Sequence, residues 1–144
     1  MTNVRAPAAR AEALARHAHD GLTEKYTGDP YHLHLARVVA LVDGDDAKAV
    51  AWLHDTLEDT ALTADDLKAA GFDATVVDAV KALTKVKGEP YPVYMARLMA
   101  SGSTLARVVK RADLLDHLRP APVPYLPDKV VAKYEAALAA LAGA

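Results

Sequence analysis

One short segment of this sequence carries four ionisable side chains within six positions: His54, Asp55, Glu58 and Asp59. An imidazole and three carboxylates are groups that bind divalent cations and accept protons. On a helical wheel with His54 at zero, Glu58 lies at about 40°, Asp55 at about 100° and Asp59 at about 140°. Apolar neighbours occupy the same side of the wheel, so the acidic groups lie on or beside a face that should be buried. Unpaired carboxylates there would be costly or would take up protons, and a bound divalent cation is the simplest compensation.

Two other helical segments carry groups of the same kind on stripes that should point inward. His34 lies on one of these stripes and Asp113 on the other. Three helices that pack together could bring them to one point with His54 and Asp55. Two imidazoles and two carboxylates suit Mn²⁺, Fe²⁺, Co²⁺ or Zn²⁺, and the set is too rich in nitrogen for a dedicated calcium site. The residue types alone also allow salt bridges and hydrogen-bonded core histidines at these positions.

The elements that must position these groups are helical. Ala and Leu dominate, alternating strand-like runs are missing, and Gly and Pro fall between the periodic segments. We predict an all-α fold of about eight helices. They cover about residues 7–20, 31–42, 45–57, a short segment capped by Thr63 and closed by Gly71, then 74–83, 90–100, 103–119 and 128–141. The segment 120–127 is too rich in proline to be helical.

Composition limits the classes of protein and of site that remain. The 144 residues leave room for a single domain over 1–144, and 52% apolar residues predict a packed core. Seventeen Lys and Arg against nineteen Asp and Glu offer no basic field for a nucleic acid polymer or an anionic membrane. Cysteine is absent, which excludes disulfides, thiol catalysis and cysteine-ligated metals. Any metal must therefore be held by His and carboxylate.

The chain also lacks the usual signals for a membrane or for export. No stretch approaches the roughly 18 continuous apolar residues needed to cross a bilayer. The first ten residues include two arginines and no apolar core of a signal peptide. We therefore expect a cytoplasmic protein.

The order of the candidate residues resembles the HD superfamily of metal-dependent phosphohydrolases, which is named for its adjacent His and Asp. The resemblance covers about residues 10 to 120. It is carried by Pro30-Tyr31-x-x-His34 with Arg37-Val38, by Leu53-His54-Asp55-x-x-Glu58-Asp59-Thr60, by Leu83-Thr84-Lys85, and by Val109-Lys110-x-Ala112-Asp113-Leu114. These motifs are most similar to the hydrolase domain of RelA/SpoT-type alarmone enzymes and to its small stand-alone bacterial relatives. The resemblance implies a helical HD-type domain with phosphohydrolase activity.

The resemblance also implies roles for single positions. Four residues match the ligands of one metal ion, typically Mn²⁺ in the alarmone branch: His34, His54, Asp55 and Asp113. Glu58 and Asp59 match the pair that orients and deprotonates the attacking water. Lys25 and Lys110 match positions near the substrate phosphates. Tyr31 and Lys85 match as well, although aromatic packing and a helix-end charge explain them equally well.

Four positions depart from the family pattern, one of which, Leu35 in place of a Pro after the first candidate metal ligand, is not expected to affect the substrate. Leu22 replaces a Gln, and Glu24 replaces an Arg that stacks on guanine in alarmone hydrolases. A carboxylate cannot do this, and it would repel phosphates. His117 replaces an Asn associated with the nucleotide, so it could donate a hydrogen bond to substrate, act as an acid or base, or be structural. Metal chemistry is therefore expected to be retained and guanine recognition to be altered.

We predict from these features a metal-dependent phosphohydrolase that acts on a small-molecule phosphate, with a nucleotide as the first candidate. The favoured activity is alarmone-like, with release of pyrophosphate from a guanosine 3′-pyrophosphate. Three alternatives stay open: a nucleotidase or phosphatase with another base preference, a catalytically silent nucleotide-binding regulatory domain, and a helical interaction module without metal. The Ala-rich outer helices are compatible with a homo-oligomer.

Overall fold

The structure is a computed structural model that describes residues 6–120 and 123–143. These residues form α1 (Pro7–Ala18), α2 (Tyr31–Ala40), α3 (Asp45–Leu53), α4 (Thr56–Asp59), α5 (Ala64–Ala69), α6 (Ala74–Leu83), α7 (Tyr91–Ala100), α8 (Thr104–His117) and α9 (Asp128–Ala142), with a 3₁₀ turn at Val123–Tyr125. Extended pairing among them is limited to an isolated bridge between Thr23 and Pro30. The all-α prediction is confirmed.

Several helix boundaries follow directly from capping residues. Thr63 and Asp66 form a reciprocal capping box at the start of α5, in which Thr63 Oγ1 accepts the N–H of Asp66 and the Asp66 carboxylate accepts the N–H of Thr63. Gly71 follows the helix at φ +91°, a conformation that favours glycine. Ser103 Oγ accepts the N–H of Ala106 and caps α8.

The predicted helix over residues 45–57 is divided in the structure, because side chains take the carbonyl groups that its next turn would need. α3 ends at Leu53 and α4 begins at Thr56. His54 Nδ1 donates to the carbonyl of Ala51 at 2.6 Å, and Thr56 Oγ1 donates to the carbonyl of Leu53 at 2.7 Å. In a continuous helix these carbonyls would accept backbone N–H groups four residues later. The chain therefore turns at His54 and Asp55.

α3 lies at the centre of the fold and positions the predicted site. It packs against α1, α2, α6 and α8, and Ala49, Val50, Ala51 and Leu53 are fully buried. α2 and α8 also pack against each other, so the inner faces of α2, α3 and α8 meet. α9 covers the outside of α8, with Ala137 as its one buried residue among those described.

The proline-rich segment before α9 contains the 3₁₀ turn, whereas positions 121 and 122 lie outside the described residues. None of the helices in the described ranges is long and apolar enough to cross a membrane.

Candidate metal centre

Four donor groups meet where α2, α3 and α8 pack together. Each of His34, His54, Asp55 and Asp113 offers one ligand atom, and these atoms all lie within 4.8 Å of one another. Nε2 of His34 and Nε2 of His54 lie 3.1 and 3.2 Å from the same oxygen, Oδ1 of Asp113. Nε2 of His54 also lies 3.1 Å from Oδ2 of Asp55. The structure thus brings together the four residues that sequence analysis grouped.

Both histidine rings turn the same nitrogen toward this cluster. Nδ1 of His34 lies 2.7 Å from Oδ2 of Asp116, and Nδ1 of His54 lies 2.6 Å from the carbonyl of Ala51. A carboxylate and a carbonyl only accept hydrogen bonds, so each Nδ1 carries a proton. When such a ring is neutral, it presents the Nε2 lone pair to the other donors, as metal-binding histidines do.

The donor set fits a divalent cation. Nε2 of His34 is buried and has no hydrogen-bond partner within the described ranges. A neutral ring would point this lone pair at the oxygens of Asp113 and Asp55, which would repel it unless a cation lay between them. Two nitrogens and two carboxylate oxygens suit Mn²⁺, Fe²⁺, Co²⁺ or Zn²⁺.

Protons on the two rings balance the carboxylates when no cation is bound. Burial lowers the pKa of His54, but the nearby charge of Asp55 and its contact with Asp113 outweigh burial and raise that pKa to about 10. The pKa of His34 is raised well above its usual value against the effect of burial, through its contacts with Asp113, Asp116 and Asp55. A cation that binds here must therefore displace protons from the rings.

The two carboxylates are held in the ionised form in spite of their burial. Burial raises the pKa of both Asp55 and Asp113. The positive charge of His54 and the contacts with both histidines together outweigh burial for Asp55, and the charges and contacts of Lys110, His117 and His34 together outweigh it for Asp113, so both pKa values lie well below the usual range. Tyr31 also donates its hydroxyl to Oδ2 of Asp55 at 2.6 Å. These contacts keep two negative charges available at the centre.

Lys110 and His117 both contact Asp113. Nζ of Lys110 lies 3.2 Å from Oδ2 of Asp113, and the lysine is only 7% exposed. Nε2 of His117 lies 3.2 Å from Oδ1 of Asp113, while its ring stacks between the rings of His34 and Tyr134. Both residues line the pocket, as expected for substrate contacts, but each already has a polar contact with a candidate ligand.

Glu58 and Asp59, the candidate water-activating pair, lie on α4 at the wall of the pocket beside the cluster. Partial burial in the pocket raises the pKa of Glu58, whose Oε1 accepts the backbone N–H of Lys85 at 3.0 Å. Partial burial and the negative charges of Asp55 and Glu58 raise the pKa of Asp59 to about 7. A carboxylate that titrates near neutral pH suits a proton acceptor.

A pocket of about 830 Å³ opens onto the cluster. This volume lies within the usual range for small-molecule sites. Its walls combine aromatic and cationic side chains, among them Lys25, Tyr26, Lys85, Tyr91, Lys133 and Tyr134. Partial burial and the charges of Lys110, Lys85 and Lys25 lower the pKa of Lys133. The pocket therefore carries several lysines beside the candidate metal centre, together with the acidic side chains of Glu58, Asp59 and Glu89. The lysines suit the negative groups of an anionic ligand.

Glu24 does not extend freely into this pocket. Its Oε1 lies 2.6 Å from Nη2 of Arg37 and 3.7 Å from Nη2 of Arg119. Together with His34 and Asp116, Glu24 forms a second group of three potential ligands. The guanidinium groups of Arg37 and Arg119 already neutralise its two carboxylates, so this second group needs no metal ion.

Asp116 and Lys133 are functional-site residues that the sequence alone did not indicate. Asp116 lies one helical turn after Asp113 on the inward stripe of α8, and this position was the available signal. Lys133 lies beyond the part of the chain that resembles the HD superfamily. Its place in the pocket depends on how α9 packs on α8, for which the sequence carries no local signal.

Comparison with known proteins supports the fold. No protein-family model matches the chain, and no match was found among curated proteins. The chain is similar to the solved structure of a metazoan orthologue of SpoT, a protein described as hydrolysing ppGpp and playing a role in starvation responses. The TM-score is 0.80 at 21% sequence identity, and the match covers 98% of this chain and 88% of the other. At this identity the match shows a shared fold, which agrees with the expected HD-type architecture.

Proposed function

We propose that the chain is a single-domain, metal-dependent phosphohydrolase of the HD type. The observation that carries the proposal is the convergence of four donor atoms from α2, the α3–α4 turn and α8 within 4.8 Å of one another. His34, His54, Asp55 and Asp113 would hold one divalent ion, with Mn²⁺ as the first candidate and Fe²⁺, Co²⁺ or Zn²⁺ as alternatives. The shared fold with a protein described as hydrolysing ppGpp supports the same class of chemistry.

The side chains around the metal centre have different roles in hydrolysis. The ion, when bound, supplies Lewis acidity toward a phosphate oxygen and toward water. Asp59 accepts the proton of the attacking water, and Glu58 orients that water beside it. Tyr31 holds Asp55 in place through its 2.6 Å hydrogen bond.

Cationic and polar side chains of the pocket would bind the substrate phosphates. Lys25, Lys110 and His117 are the candidates from the sequence, and Lys85 and Lys133 line the same pocket. Lys110 is buried against Asp113, so it would reach only a phosphate group close to the metal centre. The other lysines lie around the pocket and would contact more distant phosphates.

The favoured substrate is a nucleotide with a 3′-pyrophosphate, of which ppGpp is the natural test compound. One observation about base recognition favours a rival substrate. Glu24, at the position where alarmone hydrolases place a base-stacking Arg, is engaged by Arg37 and Arg119. A nucleotidase or phosphatase with another base preference is therefore the second candidate.

A hydrolysis panel tests the proposal. Protein purified without chelator is analysed for metal and then loaded with Mn²⁺. It is assayed against ppGpp, GDP, GTP and the 5′-nucleotides of the other bases, with release of phosphate and pyrophosphate as the readout. We expect pyrophosphate release from ppGpp to be fastest.

Each other outcome of the panel selects a different function. Faster hydrolysis of another nucleotide would reject the favoured substrate and support the second candidate. Thermal stabilisation by nucleotides without turnover would support a silent regulatory domain. Protein that contains no metal and binds no added Mn²⁺ would leave the helical interaction module.

A further inference from the structure

We infer that Asp116 is a positioning residue of the metal centre, which fixes the ring of His34 and is itself held by Arg37 and Arg119. This inference rests on the proposed function, because it requires His34 to be a metal ligand. It gives Asp116 a role in metal binding. It also implies that Glu24 helps to hold the metal centre in place and does not contact the substrate.

The contact between His34 and Asp116 is short and buried. Nδ1 of His34 donates to Oδ2 of Asp116 at 2.7 Å, a distance typical of a charge-assisted hydrogen bond. The two side chains are 1% and 3% exposed. Since Nδ1 is committed to this bond, Nε2 is the only ring nitrogen of His34 left for a cation. An acceptor carboxylate behind a metal-binding histidine also sets the orientation of the ring and raises its basicity.

Two arginines prevent the Asp116 carboxylate from rotating away from the ring. Nε of Arg37 lies 2.7 Å from Oδ1 of Asp116, and Nη2 of Arg37 lies 3.2 Å from Oδ2. Nη1 of Arg119 donates to Oδ2 at 3.0 Å. The two hydrogen bonds from the guanidinium group of Arg37 fix the plane of the Asp116 carboxylate. In this plane, one lone pair of Oδ2 points toward His34.

Glu24 balances the remaining positive charge of Arg37 and Arg119, the two arginines that hold Asp116. Its Oε1 accepts a hydrogen bond from Nη2 of Arg37, the same nitrogen that contacts Asp116, and also lies near Arg119. Two guanidinium groups therefore face two carboxylates in a partly buried space, where an unpaired charge would be costly. A carboxylate at position 24 thus has a function that an arginine there could not fulfil.

Metal binding and the protonation of His34 provide the test. The Kd for Mn²⁺ is measured by electron paramagnetic resonance of free Mn²⁺ for the wild type, Asp116→Ala and Asp116→Asn. We expect Asp116→Ala to bind about 10–100-fold more weakly, as changes behind a metal ligand usually do. Asp116→Asn keeps an acceptor oxygen, so we expect it to recover part of that loss.

Long-range ¹H–¹⁵N NMR of the Zn²⁺-loaded wild type gives a readout that needs no variant. We expect His34 to carry a hydrogen-bonded Nδ1 proton that stays on the ring when Zn²⁺ is bound.

Val77→Ala is the matched control for stability, since it removes fully buried packing on α6 at a position outside the pocket lining. We expect this variant to melt earlier and to bind Mn²⁺ as the wild type does.

The inference is wrong if Zn²⁺-loaded His34 lacks the Nδ1 proton, or if folded Asp116→Ala binds Mn²⁺ within twofold of the wild type. It is also wrong if Val77→Ala weakens Mn²⁺ binding to the same degree, because the loss would then follow stability alone. In each of these cases the wild type still binds metal, and the proposed function stands. A wild type that binds neither Mn²⁺ nor Zn²⁺ overturns both.

Discussion

The side chains of His54 and Asp55 converge although the two residues are adjacent in the chain: Nε2 of His54 lies 3.1 Å from Oδ2 of Asp55. Consecutive residues of a continuous helix point about 100° apart, which would separate the two groups. In the structure both residues lie in the turn between α3 and α4. This turn is fixed by the hydrogen bonds that His54 and Thr56 make to carbonyl groups of α3. The helix break is therefore part of the candidate metal centre.

Asp55→Asn should remove metal binding without unfolding the protein. The amide keeps the size of the side chain but loses the charge that a divalent ion needs, so we expect the Kd for Mn²⁺ to rise by more than about 100-fold. Hydrolysis should be lost, whereas the helical circular dichroism should persist. Asp78→Asn, on the exposed side of α6, serves as the control and should behave as the wild type. Near wild-type hydrolysis by Asp55→Asn would show that the ligand assignment is wrong.

The affinity for Mn²⁺ should increase with pH. The pKa of His54 is raised to about 10 in the metal-free protein, so its ring is protonated at pH 7 and must release a proton before it can bind a cation. Each released proton makes the Kd up to about tenfold tighter per pH unit. Titrations between pH 6 and 8, in buffers of different ionisation heat, measure both the affinity and the number of protons released. An affinity that does not change with pH would contradict the assigned protonation.

The same raised pKa fixes the sign of the pH effect on metal-free stability. A histidine whose folded pKa lies above the unfolded value of about 6.5 stabilises the fold fully below that value. The stabilisation is lost as the pH rises toward about 10, where the ring of His54 loses its proton and the carboxylates lose their counter-charge. Thermal melts of chelator-treated protein should therefore move to lower temperature between pH 7 and 10. Saturating Mn²⁺ should reduce this shift.

Helical periodicity and residue types were sufficient to propose the four candidate ligands as one group, and the family resemblance implied their role. His34 and Asp113 lie on inward stripes of α2 and α8, and both helices pack against α3 in the structure. The break at His54 was not predictable in the same way. It arises because a ring nitrogen and a hydroxyl compete with the backbone for carbonyl groups, and periodicity does not record this competition.

Asp59→Asn should slow hydrolysis while metal binding is retained. The asparagine cannot accept a proton, and loss of a general base usually costs about 10²–10⁴-fold in rate. The pKa of Asp59 is raised to about 7 without metal, and a nearby cation would lower it. The wild-type rate should therefore rise with pH along a limb at or below pH 7, and this limb should be absent from the variant. Asp65→Asn on α5 is the exposed control, and unchanged kinetics of Asp59→Asn would exclude the assigned role.

Glu24→Arg should destabilise the protein and should not improve guanine binding. The variant would bring a third guanidinium group against Arg37 and Arg119 and would leave both without this carboxylate. Because these side chains are partly exposed, we expect a loss of about 1–3 kcal/mol in the free energy of unfolding, below the cost of breaking a fully buried pair. Urea denaturation measures the loss, and Glu24→Gln should show a smaller one. A variant as stable as the wild type that binds GDP more tightly would show that Glu24 faces the substrate.

The ion pairs that Arg37 makes with Glu24 and Asp116 could not be predicted from a single sequence. Glu24, Arg37 and Asp116 are up to 92 positions apart in the chain, and no motif links them. Their association depends on how the loop after α1 is placed against α2 and α8, which is decided by packing of the whole core. The family resemblance showed that Glu24 stands where an Arg is expected. Only its contacts with Arg37 and Arg119 explain why a carboxylate occupies this position.

Lys133→Met should weaken substrate binding with little effect on turnover. Lys133 projects from α9 to the pocket, where its Nζ lies 4.6 Å from the ring centroid of Tyr91 and 5.2 Å from that of Tyr134. No ion pair to Lys133 forms within the described ranges, and its lowered pKa reflects partial burial and the nearby lysines, so its charge is available to a phosphate. Loss of one charge-assisted contact should raise KM for the best substrate of the panel by about 10-fold or more, with kcat nearly unchanged. Lys129→Met, one turn earlier on α9 and outside the pocket lining, is the matched control and should leave KM as it is. Added salt should raise the wild-type KM more than that of Lys133→Met, and an unaltered KM in Lys133→Met would remove α9 from the substrate site.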